Sequence, residues 1–346
     1  MKKIIISLLL IISLCVSIFG GSASAKERKF KRQDTKFTYV GEFMADVFPM
    51  YCAKNGKVKY MRYDIKYKAE TYADFNIDAI EGKKIKKISS FKERNIENGD
   101  IFYDARALDD NVNLTIRMGR FGKKEKAVIK EYDKKGKNIF TYKDDKNLIN
   151  AFRLRGWDDG RNIYYTYMEM SRNESSCVFH TRCINKKSKK VKDMRSFKLN
   201  AMEVERTNSN NLKIEKGKLY VLCKEKINVY SLNGKLLKTC RLPEGERTIH
   251  IQEDYDPEIG TYLTFNYFSV CGDYLYYCNR NGIYRWNMKG KDGFKLYYNA
   301  EGDEYFGPGY GAEDICVKDE NTIYIMISKL VEGHHDELQK IVKYSR

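Results

Sequence analysis

The chain has 346 residues, 64 Lys and Arg against 47 Asp and Glu, and a formal net charge of +17. Hydrophobic residues make up 42% and aromatic residues 13%, which excludes a chain too polar to bury a core; the length suits one large domain or two ordinary ones. Such a basic chain is drawn to anionic surfaces such as wall polymers, lipid headgroups or acidic glycans. No recognisable nucleic-acid-binding motif accompanies the charge, so nucleic acid is not an expected partner.

The N-terminus reads as a targeting segment. Lys2 and Lys3 form a basic start, Ile4 to Phe19 an apolar run, and Ala23-Ser24-Ala25 a small-residue cleavage signal. Residues 1–25 are therefore expected to be a secretory signal, with cleavage near Ala25 and a secreted or envelope-associated product. A lipoprotein acylated at Cys15 is the competing reading, but Leu14 stands where a small residue belongs. Loss of Lys2 and Lys3 takes the net charge from +17 to +15. Residues 26–34 read as a basic linker and residues 35–346 as the folded domain.

The rest of the composition favours strands. There are 27 Tyr, 17 Phe and only 4 Pro, and no window beyond the signal shows a sustained helical period. Instead a unit recurs: a turn, an apolar run, a polar gap, a second run, a second turn and a third run. In chain order the first copy holds Asn55-Gly56, KVKYMRYDI, DFNIDAI, Glu81-Gly82 and KKIKKISSF. The second holds Asn98-Gly99, DIFYDARAL, a long insert, AVIKEYD, Lys135-Gly136 and KNIFTYK. The third begins at Asp159-Gly160 with RNIYYTYMEM, the fourth at Gly217 with KLYVLC, and the fifth at Gly272-Asp273 with YLYYC. The sixth begins at Glu320-Asn321 and runs through TIYIMIS and LQKIVKY to the end of the sequence.

The first turns are spaced by 43, 61, 57, 55 and 49 residues. Repeats of that length holding four short strands, labelled a to d outward from an axis, predict an all-β, six-bladed β-propeller of four-stranded antiparallel blades. The sixth copy lacks strand d, and Thr35 to Phe43 is expected to supply it, closing the ring without an unpaired edge. Stretches such as GKLYVLCKEKINVYSLNGK and GDYLYYCNRNGIYRWNMKGK resemble the six-bladed TolB-like propellers of exported bacterial proteins. The resemblance spans nearly all of residues 35–346 and carries no catalytic signature. It implies binding of proteins, peptides or glycans; some related propellers are lyases or hydrolases, and fold alone does not choose.

In such blades the a–b and c–d turns share one face. The c–d turns are basic, as at Lys134 to Lys137, Lys186 to Lys190 and Lys289 to Lys291, and would give that face a positive rim facing an anionic wall or membrane. The opposite face collects unusual loops, where binding residues concentrate. These supply Asp254, Tyr255, Asp256, Glu258, Asp303, Glu304, Tyr305, Phe306, Tyr310, His334, His335, Asp336 and Glu337 as expected ligand-binding residues. If the chain is instead a lyase or hydrolase acting on an envelope glycan or peptide, His250, His334 or His335 would act as acid or base. Adjacent histidines on an extended chain point apart, which disfavours a shared metal. Asp254, Asp256 and Glu258 could offer oxygens to Ca²⁺, although no EF-hand loop surrounds them, and no other cofactor is expected. Trp157 and Trp286 fall in strands a and c and are assigned to the core.

Eight cysteines remain after signal removal. Strand c would separate Cys223 from Cys240 by roughly 9–10 Å, beyond disulfide reach. Cys177 and Cys183 lie along one strand, and Cys271 and Cys278 are out of register across a turn. Cys52 and Cys316, both in strands a of blades that meet at ring closure, form the candidate pair. The expected product is a monomeric, non-catalytic binding module for a peptide, protein or glycan.

Overall fold

A computed structural model describes residues 30–346 apart from 37, 43–49, 53–55, 67–69, 97–99, 108–111, 122–123, 172, 205–211, 246–247, 251–261, 265 and 331–335. Two short strands, β1 (Lys31–Asp34) and β2 (Thr38–Glu42), precede the first blade. Blade 1 is β3 (Tyr51–Cys52), β4 (Val58–Lys66), β5 (Tyr72–Glu81) and β6 (Lys84–Arg94). Blade 2 is β7 (Ile101–Ala107), β8 (Val112–Phe121), β9 (Lys124–Asp133) and β10 (Asn138–Lys143). Blade 3 is β11 (Ala151–Asp158), β12 (Asn162–Met170) and β13 (Ser176–Asn185), with an outer strand split into β14 (Val191–Asp193) and β15 (Phe197–Asn200). Blade 4 is β16 (Leu212–Glu215), β17 (Lys218–Leu222), β18 (Lys226–Ser231) and β19 (Leu236–Arg241). A ribbon of β20 (Thr248–His250) and β21 (Tyr262–Thr264) leads to blade 5, which is β22 (Tyr267–Cys271), β23 (Tyr274–Asn279), β24 (Gly282–Asn287) and β25 (Lys295–Asn299). Blade 6 is β26 (Gly311–Asp319), β27 (Thr322–Leu330) and β28 (Asp336–Ser345), completed by β1 and β2.

The six-bladed ring expected from the repeat is therefore present, and the N-terminal segment closes it. β1 pairs antiparallel with β28 from Lys31↔Ser345 to Asp34↔Val342, and β2 continues from Thr38↔Gln339. The closing segment starts earlier than the sequence suggested: Lys31 to Asp34, read as linker, is strand. Thr35 bridges the two halves, its amide donating to the Ile341 carbonyl and its hydroxyl accepting from the Ile341 amide, both at 2.9 Å.

One blade is registered differently. DIFYDARAL supplies strand a of blade 2, not strand b, and the long insert is strand b itself, β8. Asn98-Gly99 lies outside the described residues and precedes β7 in the chain. The misreading has a local cause, because an Asn-Gly pair signals a tight hairpin wherever it occurs.

Burial explains why the strands read so unevenly. Strands b and c are covered by neighbouring blades on both faces and form continuous apolar runs, as in KLYVL, where only the lysine is exposed. Strand d faces solvent, and KIKKISSFKER is mostly exposed. Six apolar clusters fill the ring, one at each blade interface. At the closure, Met50, Val58, Tyr60 and Ile80 of blade 1 pack on Tyr324, Met326 and Ile341 of blade 6. Between blades 1 and 2 an ionic network supplements the packing. Buried Glu93 accepts from Arg117 Nε at 3.0 Å, Thr115 Oγ1 at 2.8 Å and Lys130 Nζ at 3.2 Å, while Arg117 also binds Asp100. Tight turns need glycine: Gly234, in the c–d turn of blade 4, has φ +73°, and a Cβ there would lie 2.5 Å from the Arg195 carbonyl oxygen. Among the described residues no helix is long and apolar enough to cross a membrane.

Candidate functional site

The expected loop cluster divides. Asp254, Tyr255, Asp256, Glu258, His334 and His335 lie outside the described residues, as does the suggested Ca²⁺ position. His250 ends β20, and Asp336 and Glu337 begin β28; only their backbones are described. The described members, Asp303, Glu304, Tyr305, Phe306 and Tyr310, sit in the loop between blades 5 and 6 and grip the closing strand. Asp303 Oδ1 accepts from Arg32 Nη1 and the Tyr305 amide, each at 3.1 Å. Asp303 Oδ2 accepts from the hydroxyls of Tyr298 at 2.6 Å and Tyr344 at 2.8 Å. Arg32 also reaches Glu304 at 3.1 Å and lies 4.7 Å from the Tyr305 ring centroid. Tyr305 donates to Asp34 at 2.9 Å and accepts from Lys340 at 2.8 Å, and burial together with Asp34 pushes its hydroxyl pKa up. Phe306 is buried in the blade 5–6 core, and Tyr310 packs edge-on against Tyr305. A shallow depression of about 540 Å³ runs past Asn299, Glu301 and Glu304 on this side.

The larger concavity, about 710 Å³, lies on the axis and opens where the a–b turns are. The last residues of strand a from all six blades line it, including Cys52, Arg106, Trp157, Glu215, Cys271 and Lys318. A polar layer crosses the axis. Asp104 of blade 2 accepts from Arg106 Nε at 3.1 Å and from the Gly156 amide of blade 3 at 2.8 Å. Arg106 reaches the Ile214 carbonyl of blade 4 at 3.4 Å. Lys213 of blade 4 pairs at 3.3 Å with Asp314 of blade 6, which also accepts the Met50 amide of blade 1 at 2.6 Å. Burial raises the Asp314 and Glu215 pKa values; Lys213 and the Met50 amide oppose it at the former, and Arg106, Lys216 and Lys213 at the latter. Burial also lowers the Arg155 pKa.

The mouth beyond this layer is built from turns. Asp158 accepts from the Gly160 amide at 2.7 Å and from Lys186 Nζ at 3.0 Å. Asp159 caps its own turn, accepting from the Arg161 and Asn162 amides at 2.8 and 2.6 Å. Behind them Glu131 shares Lys186 at 2.8 Å. Burial, reinforced by the neighbouring Asp158 charge, pushes the Glu131 carboxyl up to about 7 despite Lys186. The Trp157 indole lies 3.8 Å from the Cβ position of Gly217, so the blade 4 turn carrying Lys216 rests against it. Lys216 and Lys318 are exposed and make no ion pair among the described residues.

Cys52, Cys271 and Cys316 come from consecutive strands a of blades 1, 5 and 6. The Cys52 and Cys271 sulfurs approach one carbonyl, that of Lys318, at 4.0 and 3.9 Å. All eight described cysteines are thiols, so Cys52 and Cys316 are not bridged here. Burial raises the thiol pKa at all three funnel positions.

Trp286 is in the core, as its strand predicted. Trp157 is not simply core, and the sequence reading missed the whole funnel. Its signal was present in four blades, where contributing residues immediately precede a first turn, as in GWDDG, IEKG, SVCGD and CVKDEN.

The fold and its axial funnel define a six-bladed β-propeller with a concave site at one end of the ring. No known family's sequence profile matches the chain. No curated protein matches it in sequence. Among solved structures, a protein of unknown function from Dyadobacter fermentans is similar at TM-score 0.49 and 11% identity, covering 92% of this chain and 100% of that one. The α-L-arabinofuranosidase Arb93A from Fusarium graminearum gives 0.44 at 10% identity over 90% and 97% of the two chains. The Neurospora crassa Pan2 WD40 domain gives 0.43 at 8% identity over 90% and 95%.

Proposed function

We propose that the protein is an exported, non-catalytic binding module that takes a peptide, protein or glycan segment into the axial funnel. One observation carries this reading: all six blades contribute the ends of their inner strands to a single concavity on a rigid ring, the arrangement in which ligand sites concentrate. Four acids in and beneath the funnel are already engaged, which favours binding, while Glu215 is the lining acid without an ion pair among the described residues. Asp104 and Asp314 are committed to Arg106 and Lys213, Asp158 to Lys186, and Asp159 to its own turn. A general acid or base must instead reach the proton it transfers.

The test is a screen of the mature chain against envelope glycans and peptides by calorimetry, repeated with Trp157→Ala. The reading predicts a ligand whose affinity falls on removing Trp157 while the melting temperature stays close to wild type. A ligand bound equally well by the variant would place the site elsewhere. Turnover of that ligand would replace the binding module with an enzyme.

A further inference from the structure

Resting on the reading of the funnel as a binding site, we infer that its ligand is an acidic glycan, a sugar chain carrying carboxylates. Two features that lie apart in the sequence meet on one face. The basic c–d turns and the funnel mouth lie on the same face, because a–b and c–d turns fall at the same end of every blade. Lys84, Lys135, Lys189, Lys235 and Lys291, one from each of blades 1 to 5, are exposed and make no ion pair among the described residues. The outer c–d rim is predominantly basic, with Glu81 and Asp292 as its exposed acids, and an excess of one sign around a concavity steers the opposite charge toward it.

The inner mouth continues the pattern with two more such lysines, Lys216 and Lys318, on either side of the blade 5 position. Of the acids beside them, Asp319 next to Lys318 is exposed and offsets part of this charge, while the others are held or shifted. Asp158 is held by Lys186, and Asp159 by the Arg161 and Asn162 amides. Glu215 is hemmed by Arg106, Lys216 and Lys213 and shifted by burial toward its neutral form.

Trp157 then decides the kind of anion. Its half-buried indole forms a wall of the funnel beside the Lys216 turn. An aromatic face next to an exposed lysine matches a sugar unit, whose apolar ring face stacks while its carboxylate meets the ammonium. A lipid bilayer is equally anionic but presents a broad surface that would rest on the rim. It would not enter an axial cavity lined by strand ends.

The experiment uses the mature full-length chain. Binding of oligogalacturonate is measured by calorimetry beside neutral maltotetraose and vesicles containing phosphatidylglycerol. The variants are Lys216→Ala/Lys318→Ala and Trp157→Ala, with melting curves to confirm folding. The expected result is saturable uronate binding that weakens with salt, falls roughly tenfold or more in each variant, and is absent for the neutral sugar. Equal affinity for maltotetraose, with Trp157→Ala still damaging, would overturn the acidic class while leaving the funnel as the site. Binding of vesicles alone, unaffected by Trp157→Ala, would overturn the glycan and give the face to membranes. Uronate affinity unchanged in both variants would overturn the funnel as well.

Discussion

Asp303 gives the sharpest test of the clasp by which the blade 5–6 loop holds the closing strand, because this one buried carboxylate joins three elements. It holds Arg32 of the closing strand, Tyr298 of blade 5 and Tyr344 of blade 6, and it caps the turn at Tyr305. Its side chain is 5% exposed. Asp303→Ala removes four hydrogen bonds and leaves two tyrosine hydroxyls and a guanidinium without that acceptor. A neutral hydrogen bond contributes about 0.5–1.5 kcal/mol and one to a charged group about 1.5–3. Arg32 is the most exposed donor, and the tyrosines can recruit water, so the expected loss is about 4 kcal/mol, at the severe end for one substitution. For a domain this large, about 1 kcal/mol corresponds to roughly 2 °C, so the melting temperature should fall by about 8 °C. Arg32→Ala, half-exposed and salt-screened, should cost only about 1 kcal/mol, and the two effects should not add. The assay is scanning calorimetry of both singles and the double. Ligand affinity measured well below the transitions should be unchanged in Asp303→Ala. A melting temperature within about 2 °C of wild type, or a loss of affinity in a stably folded Asp303→Ala, would refute the clasp.

Gly234→Ala should destabilise by about 1–3 kcal/mol, because a left-handed residue acquires a Cβ facing the Arg195 carbonyl; urea unfolding checks this, and a neutral effect would contradict the turn. The Glu131 carboxyl has a folded pKa of about 7 against an ordinary 4.5. A raised acid contributes stability that is fully present below the unfolded pKa and is lost as pH rises through the folded one. Wild type should therefore lose of the order of 2 kcal/mol relative to Glu131→Gln between about pH 5 and pH 8, read from urea midpoints. Burial pushes the Cys223 and Cys240 thiols up to about 12 and about 11. Iodoacetamide at pH 8 should thus leave both unmodified in the native protein and label them after denaturation, as peptide mass spectrometry would report.

The ring was legible because the blades repeat the same local instructions: a glycine or asparagine turn, a doubly buried run and, in blades 1 to 5, a basic hairpin tip. Closure was legible because the sixth copy lacked an outer strand and the N-terminus had one to give. Blade 2 was misregistered because an Asn-Gly pair signals a hairpin in sequence, and no local feature marked the insert as strand b. The clasp was hidden for a different reason. Asp303 and Tyr305 look like binding residues in sequence, and their partners, Arg32 and Asp34, are some 270 positions away. The funnel was the least visible, since Cys52, Trp157, Lys216 and Lys318 acquire a shared environment only when six separate strand ends are brought around one axis.

Trp157 gives the most direct reading of the central claim. With Trp286→Phe, the chain's other tryptophan is removed, and fluorescence reports the funnel wall alone. Titration with oligogalacturonate should shift Trp157 emission saturably, with the same midpoint as calorimetry. Calorimetric binding without any change in that emission would place the ligand outside the funnel.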